Sequence, residues 1–164
     1  AYNGHFKLFR DLTEATNLEL GLSYGSGPNA TTDDARTDLA GLDLAWRWKP
    51  LRTASYRGLT LRGELFRSDR EQPDGDQEAL GWFASAEARL ARRWWVFGRL
   101  ESSERARDAS QRDHGFALGL TFDPSEYSRL RAEYRRRSYA ENVTADELLL
   151  QLQFILGAHG SHPF

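Results

Sequence analysis

In Glu147-Leu-Leu-Leu-Gln-Leu-Gln-Phe-Ile-Leu156, near the end of the 164-residue chain, Leu148, Leu150, Leu152, Phe154 and Leu156 share one side of an extended backbone. Leu149, Gln151, Gln153 and Ile155 share the other. Successive side chains of a strand point to opposite faces, so this period of two predicts a long amphipathic strand over Asp146 to Gly157, not a surface helix. A short tail, His159-Gly-Ser-His162-Pro-Phe164, follows and ends on an aromatic residue.

The same alternation returns upstream. Asn17 to Gly25 sets Leu18, Leu20, Leu22 and Tyr24 against Glu19, Gly21 and Ser23. Thr37 to Trp48 sets Ala40, Leu42, Leu44, Trp46 and Trp48 against Gly41, Asp43, Ala45 and Arg47. Strands are predicted likewise over Gly58 to Ser68, Ala79 to Leu90, Trp94 to Ser102, His114 to Phe122 and Tyr127 to Tyr139, each with one apolar and one charged or small-residue side. Gly4 to Arg10 reads as a shorter, incomplete strand before a polar turn at Asp11 to Thr16. The expectation is an all-β chain, an antiparallel up-and-down barrel of eight strong strands plus one weak N-terminal strand. It forms one domain over residues 1–164, or the C-terminal part of a larger barrel.

Composition narrows the setting. Mean hydropathy is −0.66, charged residues make up 28%, and no run approaches the ~18 apolar residues of a membrane-spanning helix. A helical membrane protein is excluded. A membrane barrel is not, because only every second strand residue meets lipid. Net charge is −2 with both signs interspersed, which gives no footprint for nucleic acid. Cysteine is absent, which removes disulfides and thiolate zinc sites and suits passage through an oxidising periplasm. The chain opens on Ala1 without a secretory leader, as expected of a mature, trimmed or partial sequence.

Alternation alone fits a soluble barrel with its leucines inward or a membrane barrel with its leucines outward. Three features favour the second. Aromatic residues sit near strand ends on the apolar side, Trp46, Trp48, Trp94 and Phe122 towards one end and Tyr24, Trp82 and Tyr134 towards the other, as in interfacial girdles. The opposite side mixes small residues with charges of both signs. The third feature is the terminal Phe164. Shorter connections near 11–16, 91–93 and 123–126, with 49–57 a longer exception, are expected as periplasmic turns. The stretches 26–36, 69–78 and 103–113, with 140–145 a short fourth, are expected as external loops.

As a whole the chain resembles a bacterial outer-membrane β-barrel. Gly4-His-Phe-Lys-Leu-Phe-Arg-Asp-Leu12, Asn17-Leu-Glu-Leu-Gly-Leu-Ser-Tyr24 and Leu156-Gly-Ala-His-Gly-Ser-His-Pro-Phe164 are similar to porin-like proteins sometimes grouped as zinc-regulated outer-membrane receptors. The resemblance implies an outer-membrane location, a lipid bilayer as surroundings, recognition of the last strand by the barrel-insertion machinery, and passage of small solutes or ions. The last seven residues depart from the usual barrel ending, in which apolar residues alternate up to the final Phe.

Arg47, Arg62, Glu64, Glu87, Arg89, Arg99, Glu101, Arg129, Arg131, Glu133, Arg135 and Arg137 are the expected pore-lining residues. They read either as an arginine ladder that attracts anions or as internal ion pairs that fill a narrow lumen. Arg136 breaks the alternation and is expected at the rim. His159 and His162 form a sparse H-x-x-H pair, with zinc as the ion such ligands would take. Asp69, Glu71, Asp74, Asp76 and Glu78 form an acidic loop without the spacing of a calcium loop. Ser110 or Asp113 with His114 is the one arrangement that could be drawn as catalytic, and no motif supports it. The alternatives are a plugged structural or adhesive barrel without transport, and a soluble ligand-binding barrel.

Overall fold

Each alternating stretch becomes a strand. The computed structural model describes residues 1–29 and 34–155. The strands are β1 (Tyr2–Thr13), β2 (Thr16–Pro28), β3 (Arg36–Trp48), β4 (Gly58–Arg70), β5 (Gln77–Ala91), β6 (Trp94–Arg105), β7 (Asp108–Ser125), β8 (Ser128–Ser138) and β9 (Thr144–Phe154). They form one nine-stranded sheet in the order β1 to β9, every neighbour antiparallel. This is the topology that short hairpin connections dictate.

Two sequence expectations need correction. The N-terminal strand is neither short nor weak: β1 runs for 12 residues and pairs with β2 from Tyr2↔Ser26 to Thr13↔Thr16. The polar stretch 103–113 is not a loop, because β6 and β7 continue as a hairpin to a turn at Ala106 and Arg107. Its charges pair across the ladder, Glu104 opposite Arg112, instead of marking a break. Leu156, Gly157 and the tail from Ala158 to Phe164 lie outside the described residues.

Register carries the alternation from strand to strand. Leu18, Trp46, Leu61, Ala86, Gly98, Leu118, Tyr134 and Leu148 form one row from β2 to β9. The next row, Glu19, Ala45, Arg62, Ser85, Arg99, Ala117, Arg135 and Glu147, points the other way. A slip of one residue anywhere would exchange the faces. The strands also step along one another: the row of Thr144, where β9 begins, reaches β1 at Phe6, with Tyr2–His5 extending beyond it. Trp46 and Tyr134 therefore share a row although one lies near the end of β3 bearing Trp48 and the other towards the opposite end of the sheet.

The sheet curls, with the charged face inside the curve. β5 and β7 approach within 8 Å between Cα atoms although β6 lies between them, whereas strands two apart in a flat sheet are separated by ~9.5 Å. On the charged face, side chains of β6 and β8 meet across β7, Glu101 with Arg137 and Phe97 with Arg131. Small residues of β7 make the floor beneath them. A Cβ on Gly119 would fall 1.9 Å from the Phe97 ring, and one on Gly115 would fall 2.7 Å from the Arg136 carbonyl oxygen. The buried alanines Ala45, Ala79 and Ala117 also lie on this side. On the convex face Leu148 and Leu150 are 71% and 78% exposed, and Leu22, Leu100 and Leu118 are more than half exposed. The described sheet is open: β1 and β9 pair only with β2 and β8, and all of β1 is exposed along its free edge.

Because the Phe97 ring occupies the space above Gly119, Gly119→Val should lower stability by about 1–3 kcal/mol, the usual cost of overpacking. Chemical unfolding followed by tryptophan fluorescence measures this, and in a Phe97→Ala background the same substitution should cost much less.

Candidate functional site: the concave charged face

The register places all twelve expected pore-lining residues on the concave face, held by β3 to β8. They do not act alike. Glu133 is the centre of the largest cluster. Its side chain is 12% exposed, and it accepts from Arg131 Nη2 at 3.1 Å and from Arg135 Nη2 at 2.8 Å, while Arg135 Nη1 also stands 3.5 Å from Glu147. Glu101 is shared in the same way between two arginines, taking Arg99 Nε at 2.8 Å and Arg137 Nε at 3.1 Å. Glu19 joins Lys7 at 2.6 Å and Arg47 at 3.0 Å. In each case one enclosed carboxylate serves two cations, and around Glu133 the second carboxylate, Glu147, brings the two signs into balance. Charges turned away from water need such pairing.

The remaining residues divide. Arg129 holds Asp123 through Nε at 2.8 Å and Nη2 at 3.2 Å. The Arg89 guanidinium donates to the backbone carbonyls of Ala54 and Arg92, at 2.9 and 2.7 Å. Among the described residues Arg62, Glu64 and Glu87 form no ion pair, nor does Asp43, whose carboxylate lies over Gly21. Arg36 stands on the opposite parity at the start of β3 and donates to Ser26 Oγ at 3.0 Å.

Sequence reasoning missed the aromatic platforms of this face. Arg99 lies 4.0 Å above the Phe83 ring, Arg131 4.2 Å above Phe97, and Arg89 4.7 Å above Trp95. A guanidinium stacked on an aromatic ring keeps its charge, gains quadrupole attraction and has its direction fixed. The signal is present in the chain. Phe83, Trp95 and Phe97 interrupt the charged side of β5 and β6, opposite the small residues Gly115, Ala117, Gly119 and Thr121 of β7.

The convex face carries the aromatic residues expected at its borders. Trp94 stacks on Phe122 at 4.4 Å, and Phe116 meets Tyr134 edge-on at 5.9 Å. Trp46, Trp48, Trp82 and Tyr24 lie on the same face. Its edge away from Trp94 is traced by ion pairs, Arg67 with Glu78, Arg112 with Glu104, and Arg136 with Asp146 at 3.8 Å. Tyr134 also donates to Asp146 at 2.6 Å. Arg136 thus stands where the apolar rows give way to charge.

Other sequence candidates do not assemble. Glu78 is spent on Arg67, and Glu71 accepts the Arg36 backbone N–H at 2.7 Å. The Ser110 hydroxyl donates to Asp108 at 2.6 Å, ~13 Å along the strand from His114. Asp113 belongs to Arg105 and the Ala140 N–H, and it faces away from its neighbour His114. Among the described residues no three His, Asp or Glu side chains are placed to share a metal ion; His159 and His162 lie outside them.

Comparison with known proteins is sparse. The chain is 28% identical over 180 residues to an uncharacterized protein of Aquifex aeolicus (strain VF5), a match covering 90% of this chain and 38% of that protein. No family model matches the sequence, and no solved structure matches it.

Two outcomes follow. Glu133→Gln removes the negative charge shared by Arg131 and Arg135, and should cost about 1–2 kcal/mol in chemical unfolding, below the cost of breaking a fully buried pair because the arginines are partly solvated. In the turn after β8, hydrogen bonds from Arg105 hold the Glu141 carboxyl below its ordinary value of 4.5. A depressed folded value means the contact stabilises above the unfolded pKa and is lost as pH falls through the folded one. A carboxyl NMR titration should find the Glu141 midpoint below 4.5, and Arg105→Gln should raise it.

Proposed function

We propose that this sheet is the wall of a transmembrane β-barrel in a bacterial outer membrane, and that its concave face lines a passage for small solutes or ions. The observation that carries the reading is the inversion of the faces. A soluble barrel encloses its leucines, whereas here leucines cover the open convex side and carboxylates with guanidinia occupy the enclosed one. Exposed apolar area on this scale fits an apolar solvent. The dimensions support the same reading. Leu80 to Leu90 on β5 span ~33 Å along the strand, which at the ~40° tilt of such barrels is an apolar band ~25 Å tall.

Closure belongs to the proposal. β1 and β9 are both odd members of an alternating series, so they run in the same direction and cannot pair antiparallel with each other. Free strand edges are not viable in lipid. The reading therefore includes further strands, odd in number, that bridge the two edges and widen the lumen beyond what side chains fill. The Aquifex protein extends well past its matched region, a length that leaves room for such strands. A plugged structural barrel is the second reading, favoured by the ion-pair clusters around Glu133 and Glu101.

Single-channel recording in planar bilayers tests the passage. Steady conductance is expected, with an anion preference set by the guanidinia of the concave face, and Arg131→Glu with Arg135→Glu should reduce or reverse that preference. A bilayer-inserted but silent protein would favour the plugged barrel, and a folded soluble monomer that never enters lipid would end the membrane reading.

A further inference from the structure

The cations most weakly matched by carboxylates lie at one end of the concave face. There the connection at residues 49–57 folds back on itself, with the N–H groups of Tyr56 and Arg57 donating to Thr53 O, and Lys49 N donates to Ala15 O at 2.7 Å. Arg89 fastens it in place by donating to Ala54 O and to Arg92 O in the neighbouring hairpin. Between these elements and the turn at Glu126 and Tyr127 lies a cavity of about 890 Å³. Lys49, Arg89, Arg92, Arg93 and Arg129 line it.

The acids there are fewer and partly spent. Asp123 is taken up by Arg129, and Glu126 engages Tyr127. Arg89 is bonded to carbonyl oxygens, which orient a guanidinium without cancelling its charge, and its buried Nε has no acceptor. Among the described residues Lys49, Arg92 and Arg93 form no ion pair. The connections at the opposite end are acidic on balance, with Glu71, Asp74 and Asp76 in one turn against Arg107 in another, and Glu141 paired with Arg105. The electrostatic potential therefore rises along the concave face towards the basic end.

We propose that this basic mouth is a binding site for a small oxyanion, held as a hydrated ion by Arg92, Arg93 and Lys49 against the fixed charge of Arg89. The inference rests on the reading of the concave face as a passage and names the class of solute that face retains. Phosphate groups occur both in solution and on lipid headgroups. Here the free ion is the occupant, because Arg89, Arg129 and Gln153 belong to the concave rows, away from the exposed leucines.

Calorimetric titration of the detergent-refolded chain with inorganic phosphate at low salt tests the site. Saturable binding is expected, weakened at least tenfold by Arg92→Gln with Arg93→Gln, weakened by added sodium chloride, and unchanged by Arg112→Gln at the far end. Lys49→Gln gives an independent measure and should weaken binding severalfold even if the double variant does not refold. Absence of saturable phosphate binding, or affinity indifferent to these substitutions, would overturn the site. So would association confined to phosphatidylglycerol vesicles with no competition from free phosphate. Conductance without phosphate binding would remove this site and leave the passage standing, whereas binding by a silent barrel would do the reverse.

Discussion

A strand offers its side chains two directions, and a ladder of strands in fixed register allows the whole sheet two faces. Everything else in this protein depends on that constraint. Because register carries Leu18 to Leu148 and Glu19 to Glu147 without exchange, separation of apolar from charged chemistry is a property of the sheet and not of any one strand. An apolar row that passed to the other face at one ladder would place leucine among guanidinia and charge among leucines, at a cost on both sides. Hairpin turns as short as Glu14–Ala15, Arg92–Arg93 and Ala106–Arg107 leave little freedom for such a slip.

Curvature then converts chemistry into geometry. Small residues on one side of β7 let the longer side chains of β6 and β8 meet above them, and their meeting holds the curl. Gly119 receives Phe97, Phe97 supports Arg131, and Arg131 shares Glu133 with Arg135. This sequence of contacts crosses three strands and joins backbone space, aromatic stacking and ion pairing. None of its members is strongly stabilising alone, since exposed ion pairs contribute little. Enclosure by the curved sheet is what raises their worth, and the curl in turn needs the glycine floor.

Most of this is legible in the sequence because period two is a strong signal over ten residues, and parity alone puts the twelve charged residues from Arg47 to Arg137 on one face. Legibility fails where a local cue competes. Ser103 to Asp113 looks like a loop by composition, yet its charges are cross-strand partners, which only register reveals. β1 looks incomplete because its apolar side is interrupted by Gly4 and Arg10. Phe83, Trp95 and Phe97 look like exceptions to a polar face when read without the arginines that lie above them. The pairing of carboxylates with particular guanidinia depends on spacing across strands, which a linear reading does not contain.

The two ends of the sheet differ in a way alternation does not require. One carries Lys49, Arg52, Arg57, Arg92 and Arg93 in its connections against Glu14 and Glu126, the other Glu71, Asp74, Asp76 and Glu141 against Arg107. A scaffold selected only for strength could place these charges anywhere among its exposed turns. Along the concave wall between the two ends, guanidinia stacked on Phe83, Phe97 and Trp95 hold fixed positions, and Glu19, Glu101 and Glu133 each serve two cations. Charge thus differs between the two ends of the strands as well as between the two faces of the sheet. A low-dielectric wall focuses such a gradient into the concavity, so the positions of the turns and the stacking of the arginines contribute to one potential.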